Sequence, residues 1–216
     1  MDKFSGQQGV LLVNSMILAI QENKQYLSDI DGAIGDGDHG INMNKGFTLC
    51  REALDQQPGG LSYALQTLGK ILIMKIGGSM GPLYGKFFIS MGKSLDGKEM
   101  IGKEDFLHAL KAALAALRTI SQAQVGDKTL MDTLIPAVEA FDSAVTAGKS
   151  FSDALNVMSQ AALQGRDSTI DMVAKIGRSS RLGERSRGVM DAGSASCYII
   201  LSTMATAAKD ILEGQH

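Results

Sequence analysis

The sequence predicts an all-α fold: a single domain over residues 1–216, an eight-helix up-and-down antiparallel barrel or bundle with a binding site in the loops at one end. Three observations predict it. No segment sustains the period-two alternation of Val, Ile and Thr that strands need, whereas apolar residues recur at three- and four-residue spacing along most of the chain. The connections alternate between plain turns and loops rich in Gly, Asp, Ser and Arg. The chain has 216 residues and is 44% hydrophobic, enough for one substantial core.

The helices read as residues 8–22, 41–55, 61–76, 82–95, 103–121, 129–146, 152–175 and 194–213. In the first, the apolar run Val10 to Ile20 is broken by Asn14 and Ser15, with only Lys3 against Asp2 before it and no small-residue cleavage pattern after it. It reads as a helix rather than a signal peptide. Leu61, Ala64, Leu65, Leu68 and Leu72 form the stripe of the third helix, and Phe106, Leu107, Leu110, Ala113, Leu114 and Leu117 that of the fifth. Ser152, before Asp153 and Ala154, reads as the N-cap of the seventh. Cys50 and Cys197 fall inside apolar helical patterns and read as small core residues in a reducing cytoplasm. No linker, second domain or 30- to 45-residue repeat is visible.

Two classes of function are disfavoured at once. A net charge of −2 does not suit a general nucleic-acid binder. The absence of any run of about 18 apolar residues argues against a membrane span.

The plain connections are residues 56–60, 96–102 and 147–149; the unusual ones are 31–40, 77–81, 124–128 and 177–193. In an up-and-down array the unusual four all lie at one end, next to four helix N-termini. Helix N-termini offer free N–H groups and positive partial charge, which suits a polyanion such as a nucleotide.

Each loop has its own chemistry. Asp31, Asp36 and Asp38 share a glycine-rich turn, and three carboxylates so close repel unless a cation neutralises them. Oxygen-only ligands favour Mg²⁺ or Ca²⁺ over zinc. A solvated acidic turn with Asp36 or Asp38 capping the next helix is the plainer alternative. Gly35-Asp36-Gly37-Asp38-His39-Gly40 fits a dinucleotide fingerprint in letters only, since no strand precedes it. An EF-hand from Asp36 fails because Ile41 and Phe47 stand where Gly and Glu are needed. Gly77-Gly78-Ser79-Met80-Gly81 before Pro82 suits either a phosphate-holding nest or a tight helix-to-helix turn. In Val125 to Thr129, Asp127 reads as a helix cap and Lys128 as a group able to reach an anion. The last loop gathers Arg178, Arg181, Arg185 and Arg187, forks that bind phosphate or a partner's acidic rim.

Together these motifs resemble the L subunit family of bacterial dihydroxyacetone kinase. The resemblance rests on Ile34 to Gly40 with Asn42-Met43 and Gly46-Phe47; on Gly77-Gly78 with Gly81-Pro82-Leu83-Tyr84-Gly85; on Gly126-Asp127-Lys128-Thr129; and on Gly177-Arg178 with Leu182-Gly183-Glu184-Arg185-Ser186. It covers nearly the whole chain in order. It implies an eight-helix barrel with ADP or ATP in the loops at one end and Mg²⁺, two ions, bridging the phosphates to Asp31, Asp36 and Asp38. It implies nucleotide contacts at His39, Gly40, Ile41, Asn42, Ser79, Met80, Ser121, Leu130, Arg178, Met190, Asp191 and Ala192, with Arg178 stabilising charge on the transferred group. It also implies a separate K subunit that holds the ketose covalently through a histidine. In the phosphotransferase-linked branch a further protein recharges the bound ADP. Cytoplasmic placement goes with both.

The sequence departs from the family pattern at four points. Met80 stands for a usual Ser, Leu130 for Met, Ser121 for Gly, and Val189-Met190-Asp191-Ala192-Gly193 for His-x-Asp-Pro-Gly. Met80 and the lost His-x-Asp-Pro pattern favour a second reading beside phosphoryl transfer, an ADP–Mg²⁺ and partner-binding sensor without turnover, and the aspartate cluster alone would permit a third, a metal-dependent phosphohydrolase.

Overall fold

The computed structural model describes residues 2–214. Among them are nine α-helices: α1 (Val10–Glu22), α2 (Lys24–Ile34), α3 (His39–Gln56), α4 (Leu61–Lys75), α5 (Met80–Ser94), α6 (Lys103–Arg118), α7 (Met131–Thr146), α8 (Phe151–Ser168) and α9 (Ala192–Glu213). Each helix packs on its chain neighbour, and α9 returns to pack on α1. The result is a closed ring of eight staves, because α1 and α2 together make the first.

That stave is where the sequence reading differs from the structure. The sequence reading ends the first helix at residue 22 and gives 31–40 to a connection, but residues 24–34 are helical. The break is at Asn23, whose backbone leaves the helical region (φ −97°, ψ 9°) while its side chain donates to the Ala19 carbonyl at 2.8 Å. Only Leu27 and Ile34 of α2 are buried, so it carries no stripe for periodicity to reveal. A smaller correction concerns α8: its N-cap is Ser150, whose Oγ accepts from the Asp153 N–H at 3.1 Å, not Ser152.

The glycines set how closely the staves approach. A Cβ on Gly69 of α4 would lie 2.6 Å from the Gly85 carbonyl of α5, and one on Gly85 would lie 2.9 Å from the Gly69 carbonyl. Backbone therefore meets backbone there, and any side chain would push the pair apart. A Cβ on Gly40 would likewise run into the Lys24 carbonyl and Ser28 of α2.

The end away from the unusual loops is closed by apolar packing. Phe4, Phe106, Phe141 and Phe151 make a fully or nearly fully buried cluster, with Phe106 5.6 Å between centroids from both Phe141 and Phe151. Phe4 comes from β1 (Lys3–Ser5), which pairs antiparallel with β2 (Met100–Gly102). This three-residue ribbon is too short to show as alternation in the sequence. Offset and edge-on aromatic pairs of this kind add about 0.5–1.5 kcal/mol each beyond their buried area. No described helix is long and apolar enough to cross a membrane.

Candidate functional site

The C-terminal ends of α2, α4, α6 and α8 and the N-terminal ends of α3, α5, α7 and α9 surround one cavity of about 590 Å³. All four unusual connections contribute to its wall, as the alternation of loop types predicted. The space is within the range of small-molecule and cofactor sites.

Asp31 lies in the last turn of α2, and Asp36 and Asp38 lie on the turn to α3. One carboxylate oxygen from each lies within 4.8 Å of the others. Gly37, at φ +77°, folds the turn back over Gly32. Gly35 makes the approach possible, since a Cβ there would sit 2.5 Å from Asp31 Oδ1. The helix cap is not the one the simpler alternative supposed: Asp31 Oδ2, eight residues back, accepts the His39 N–H at 3.1 Å, while Asp38 makes no side-chain cap bond. Arg178 reaches across from the last connection to form an ion pair with Asp36. The cluster so far meets the charge of one guanidinium, and its donor set is oxygen alone, which fits a hard divalent cation.

His39 is buried at the start of α3. Its Nε2 lies 2.9 Å from Ser196 Oγ, which lies 2.7 Å from the Tyr84 hydroxyl. Tyr84 in turn donates to the Gly193 carbonyl at 3.3 Å. This chain of hydroxyls ties α3, α5 and α9 together at the floor of the site. Burial lowers the His39 pKa to about 4, so the ring is neutral at physiological pH. Tyr84 stood in the Gly81-to-Gly85 motif with no role assigned to it, and nothing in the sequence pointed to Ser196, since a lone Ser on a helix face reads as core or surface.

On the opposite wall, Asp191 caps α9 by accepting the Ser194 N–H at 2.7 Å, and desolvation pushes its carboxyl up to about 6. Asp132 of α7 is fully buried and accepts from Gly126 N at 2.6 Å and Thr129 N at 2.8 Å, fixing the fifth connection. A signal for it was present: Thr129-x-x-Asp132 is the spacing of a capping box.

Lys128 behaves differently from its reading in the sequence. Its ammonium does not reach out for an anion. It donates to the carbonyls of Met172, Ser186 and Val189, at 3.1, 2.7 and 2.5 Å. Arg187 is similarly engaged within its own segment, with Glu184 at 3.0 Å and the Asp171 carbonyl at 2.5 Å.

Of the residues singled out for nucleotide contact, His39, Asn42, Ser79, Met80, Ser121, Leu130, Arg178, Asp191 and Ala192 line the cavity. Gly40, Ile41 and Met190 do not. Gly40 is wedged against α2, Ile41 is 54% exposed, and the Met190 sulfur takes a hydrogen bond from Tyr26 at 3.6 Å.

The sequence matches the DAK2 domain over residues 33–206. The chain belongs to the DAK2 domain family. Among its relatives is the ADP-binding subunit DhaL of a PEP-dependent dihydroxyacetone kinase 1 from Listeria innocua, 38% identical over 186 residues, covering 86% of this chain and 88% of that protein. The ADP-binding subunit DhaL of the Escherichia coli PEP-dependent dihydroxyacetone kinase is 34% identical over 187 residues, with 86% and 89% covered. A D-erythrulose kinase of Mycolicibacterium smegmatis is 31% identical over 207 residues, where the match covers 93% of this chain but only 36% of the larger protein. The crystal structure of the C. freundii dihydroxyacetone kinase in complex with AMP-PNP and Mg²⁺ is similar in fold to this chain, with a TM-score of 0.66 at 22% identity, over 90% of this chain and 33% of that one.

Proposed function

We propose that this chain is the nucleotide-holding subunit of a kinase for dihydroxyacetone or a related small ketose, with residues 1–216 acting as one domain in the cytoplasm. The observation that carries the reading is the cluster of Asp31, Asp36 and Asp38, oxygens within 4.8 Å of one another, opening on a cavity ringed by helix N-termini. The names of the DhaL relatives support ADP or ATP as the ligand, and Mg²⁺ is the cation that such a ligand and oxygen set call for.

On this reading the three aspartates hold Mg²⁺, two ions as in the family pattern, whose charge offsets that of the β- and γ-phosphates. Ser79 and the backbone of Gly77 and Gly78 face the phosphates at the start of α5, where the helix dipole favours negative charge. Leu130 and Ala192 offer the base an apolar wall. Arg178, already at the carboxylate cluster, stabilises charge on the moving phosphoryl group, so it is the catalytic residue assigned to this chain. No general base is assigned here. The ketose belongs to a separate K subunit, and the PEP-dependent names of the relatives favour a phosphoryl-donor protein of the phosphotransferase system that recharges the bound nucleotide.

One observation favours a second reading. Met80 puts a thioether on the cavity wall where a hydroxyl is usual, so the phosphate grip is weaker, as in a binding and sensor module. Mixing the purified chain with a K-type subunit, dihydroxyacetone and ATP separates the readings. Ketose phosphorylation that needs both proteins is the expected result. Tight ADP–Mg²⁺ binding without turnover would favour the sensor, and phosphate release without the K subunit would favour a hydrolase.

A further inference from the structure

Lys128 is 1% exposed and sits at φ +64°, the one non-glycine among the described residues in the left-handed region. A left-handed conformation is strained for a residue that carries a β-carbon, so the surroundings must impose it. They do: Asp132 grips the N–H groups of Gly126 and Thr129 on either side, and Asp127 Oδ2 takes the Gln124 N–H at 2.8 Å. The lysine's three ammonium protons then meet three carbonyls. Among the described residues it has no carboxylate within ion-pair distance. Desolvation lowers its pKa, with the fields of Asp191 and Asp171 acting the other way.

The three carbonyls are informative by position. Met172 precedes the segment that carries Arg178, and Ser186 and Val189 follow it. They are the two sides of one neck. Other bonds stitch the same neck: Ala174 N to Ser186 Oγ at 2.9 Å, Ser186 Oγ to the Gly183 carbonyl at 2.7 Å, and Gly188 N to the Ile170 carbonyl at 2.7 Å. Beyond the neck, Ile176 to Ser179 line the cavity, and Arg178 is delivered to Asp36. A neutral side chain could satisfy one or two carbonyls, whereas an ammonium satisfies three from one point.

We propose that Lys128 is a positioning residue: it closes the neck of residues 172–189 and so fixes Arg178 over the cavity, acting through Arg178 rather than on the nucleotide itself. This rests on the nucleotide reading given above. It explains a buried cation that borders the cavity yet spends its ammonium on three backbone carbonyls rather than on an anion.

The test uses the full chain as Lys128→Met, Arg178→Ala and the double variant. Trypsin supplies a readout that needs no ligand, because Arg178, Arg181 and Arg185 lie in the segment beyond or within the neck. Lys128→Met is expected to be nicked there about tenfold faster than the parent while the helices stay protected, as for a local opening. ADP–Mg²⁺ is expected to bind about tenfold more weakly to Lys128→Met, and the double variant no more weakly than Arg178→Ala alone, the signature of two residues acting as one. Unchanged nicking, or losses that simply add in the double variant, would overturn the proposal. Should Lys128→Met fail to fold, Ser186→Ala opens the same neck from its other side and must give the same non-additivity with Arg178→Ala. If the parent chain binds no ADP–Mg²⁺, the nucleotide reading falls, and the nicking comparison still decides whether Lys128 holds the neck.

Discussion

Met80 stands at the first turn of α5, half-buried against the core and on the cavity wall. Its sulfur accepts weakly and donates nothing, so a phosphate oxygen placed beside it would go without a partner. Met80→Ser is expected to tighten ADP–Mg²⁺ binding by roughly 1 kcal/mol, the worth of one recovered hydrogen bond. Isothermal calorimetry on the two proteins decides it; equal or weaker binding by the serine variant would mean that the phosphates lie elsewhere. The three aspartates were legible because like charges on a glycine-rich turn have few explanations other than a cation. Lys128 was not, because its partners are backbone carbonyls 44 to 61 residues away, and no side-chain pattern encodes a carbonyl.

Among the elements, α4 and α5 matter most to the site, since they carry the Gly77-to-Met80 connection between them. Their close approach depends on Gly69 and Gly85. Gly69→Ala places a methyl group 2.6 Å from the Gly85 carbonyl and 2.8 Å from Ile89 N, backbone atoms that cannot rotate away. Overpacking of this kind typically costs 1–3 kcal/mol, and the helix propensity gained by alanine is smaller than that. Urea denaturation should therefore show Gly69→Ala less stable by up to about 2 kcal/mol, the overpacking cost less the roughly 1 kcal/mol of helix propensity regained, with ADP–Mg²⁺ affinity falling alongside as the N-terminus of α5 shifts. A variant as stable as its parent would show that the two helices are held by something other than this contact. The strong apolar stripes of α4 and α6 could be read in the sequence to within a few residues. The helix α2 could not, because it buries only two side chains and owes its conformation to the staves on either side.

For the whole molecule, closure of the ring by α9 against α1 is the step that buries the most distant parts of the sequence together. Cys50 on α3 and Cys197 on α9 are both buried, and burial raises both thiol pKa values, that of Cys50 to about 12. Neither supplies a thiolate while the barrel is closed, so a thiol reagent at pH 8 should label the native protein only as fast as the barrel opens. The labelling rate should rise in denaturant in step with loss of helical circular dichroism. Rapid labelling of either thiol in buffer would reveal a local opening that the closed ring does not contain. At this scale the alternation of plain and unusual connections carried the prediction of one active end, since an up-and-down array leaves no other place for the odd loops to go.

On the proposed function, a nucleotide is held at that end through a cation bound by Asp31, Asp36 and Asp38, whose carboxylate oxygens lie within 4.8 Å of one another. Titration of ADP into the chain by calorimetry, with Mg²⁺ and with excess chelator, tests it most directly, repeated for Asp36→Asn and Asp38→Asn after circular dichroism has shown their helicity unchanged. Binding by the parent only when Mg²⁺ is present, and loss of that binding in both variants, is the expected result. ADP affinity that ignores Mg²⁺, or that survives unchanged in both variants, would contradict it.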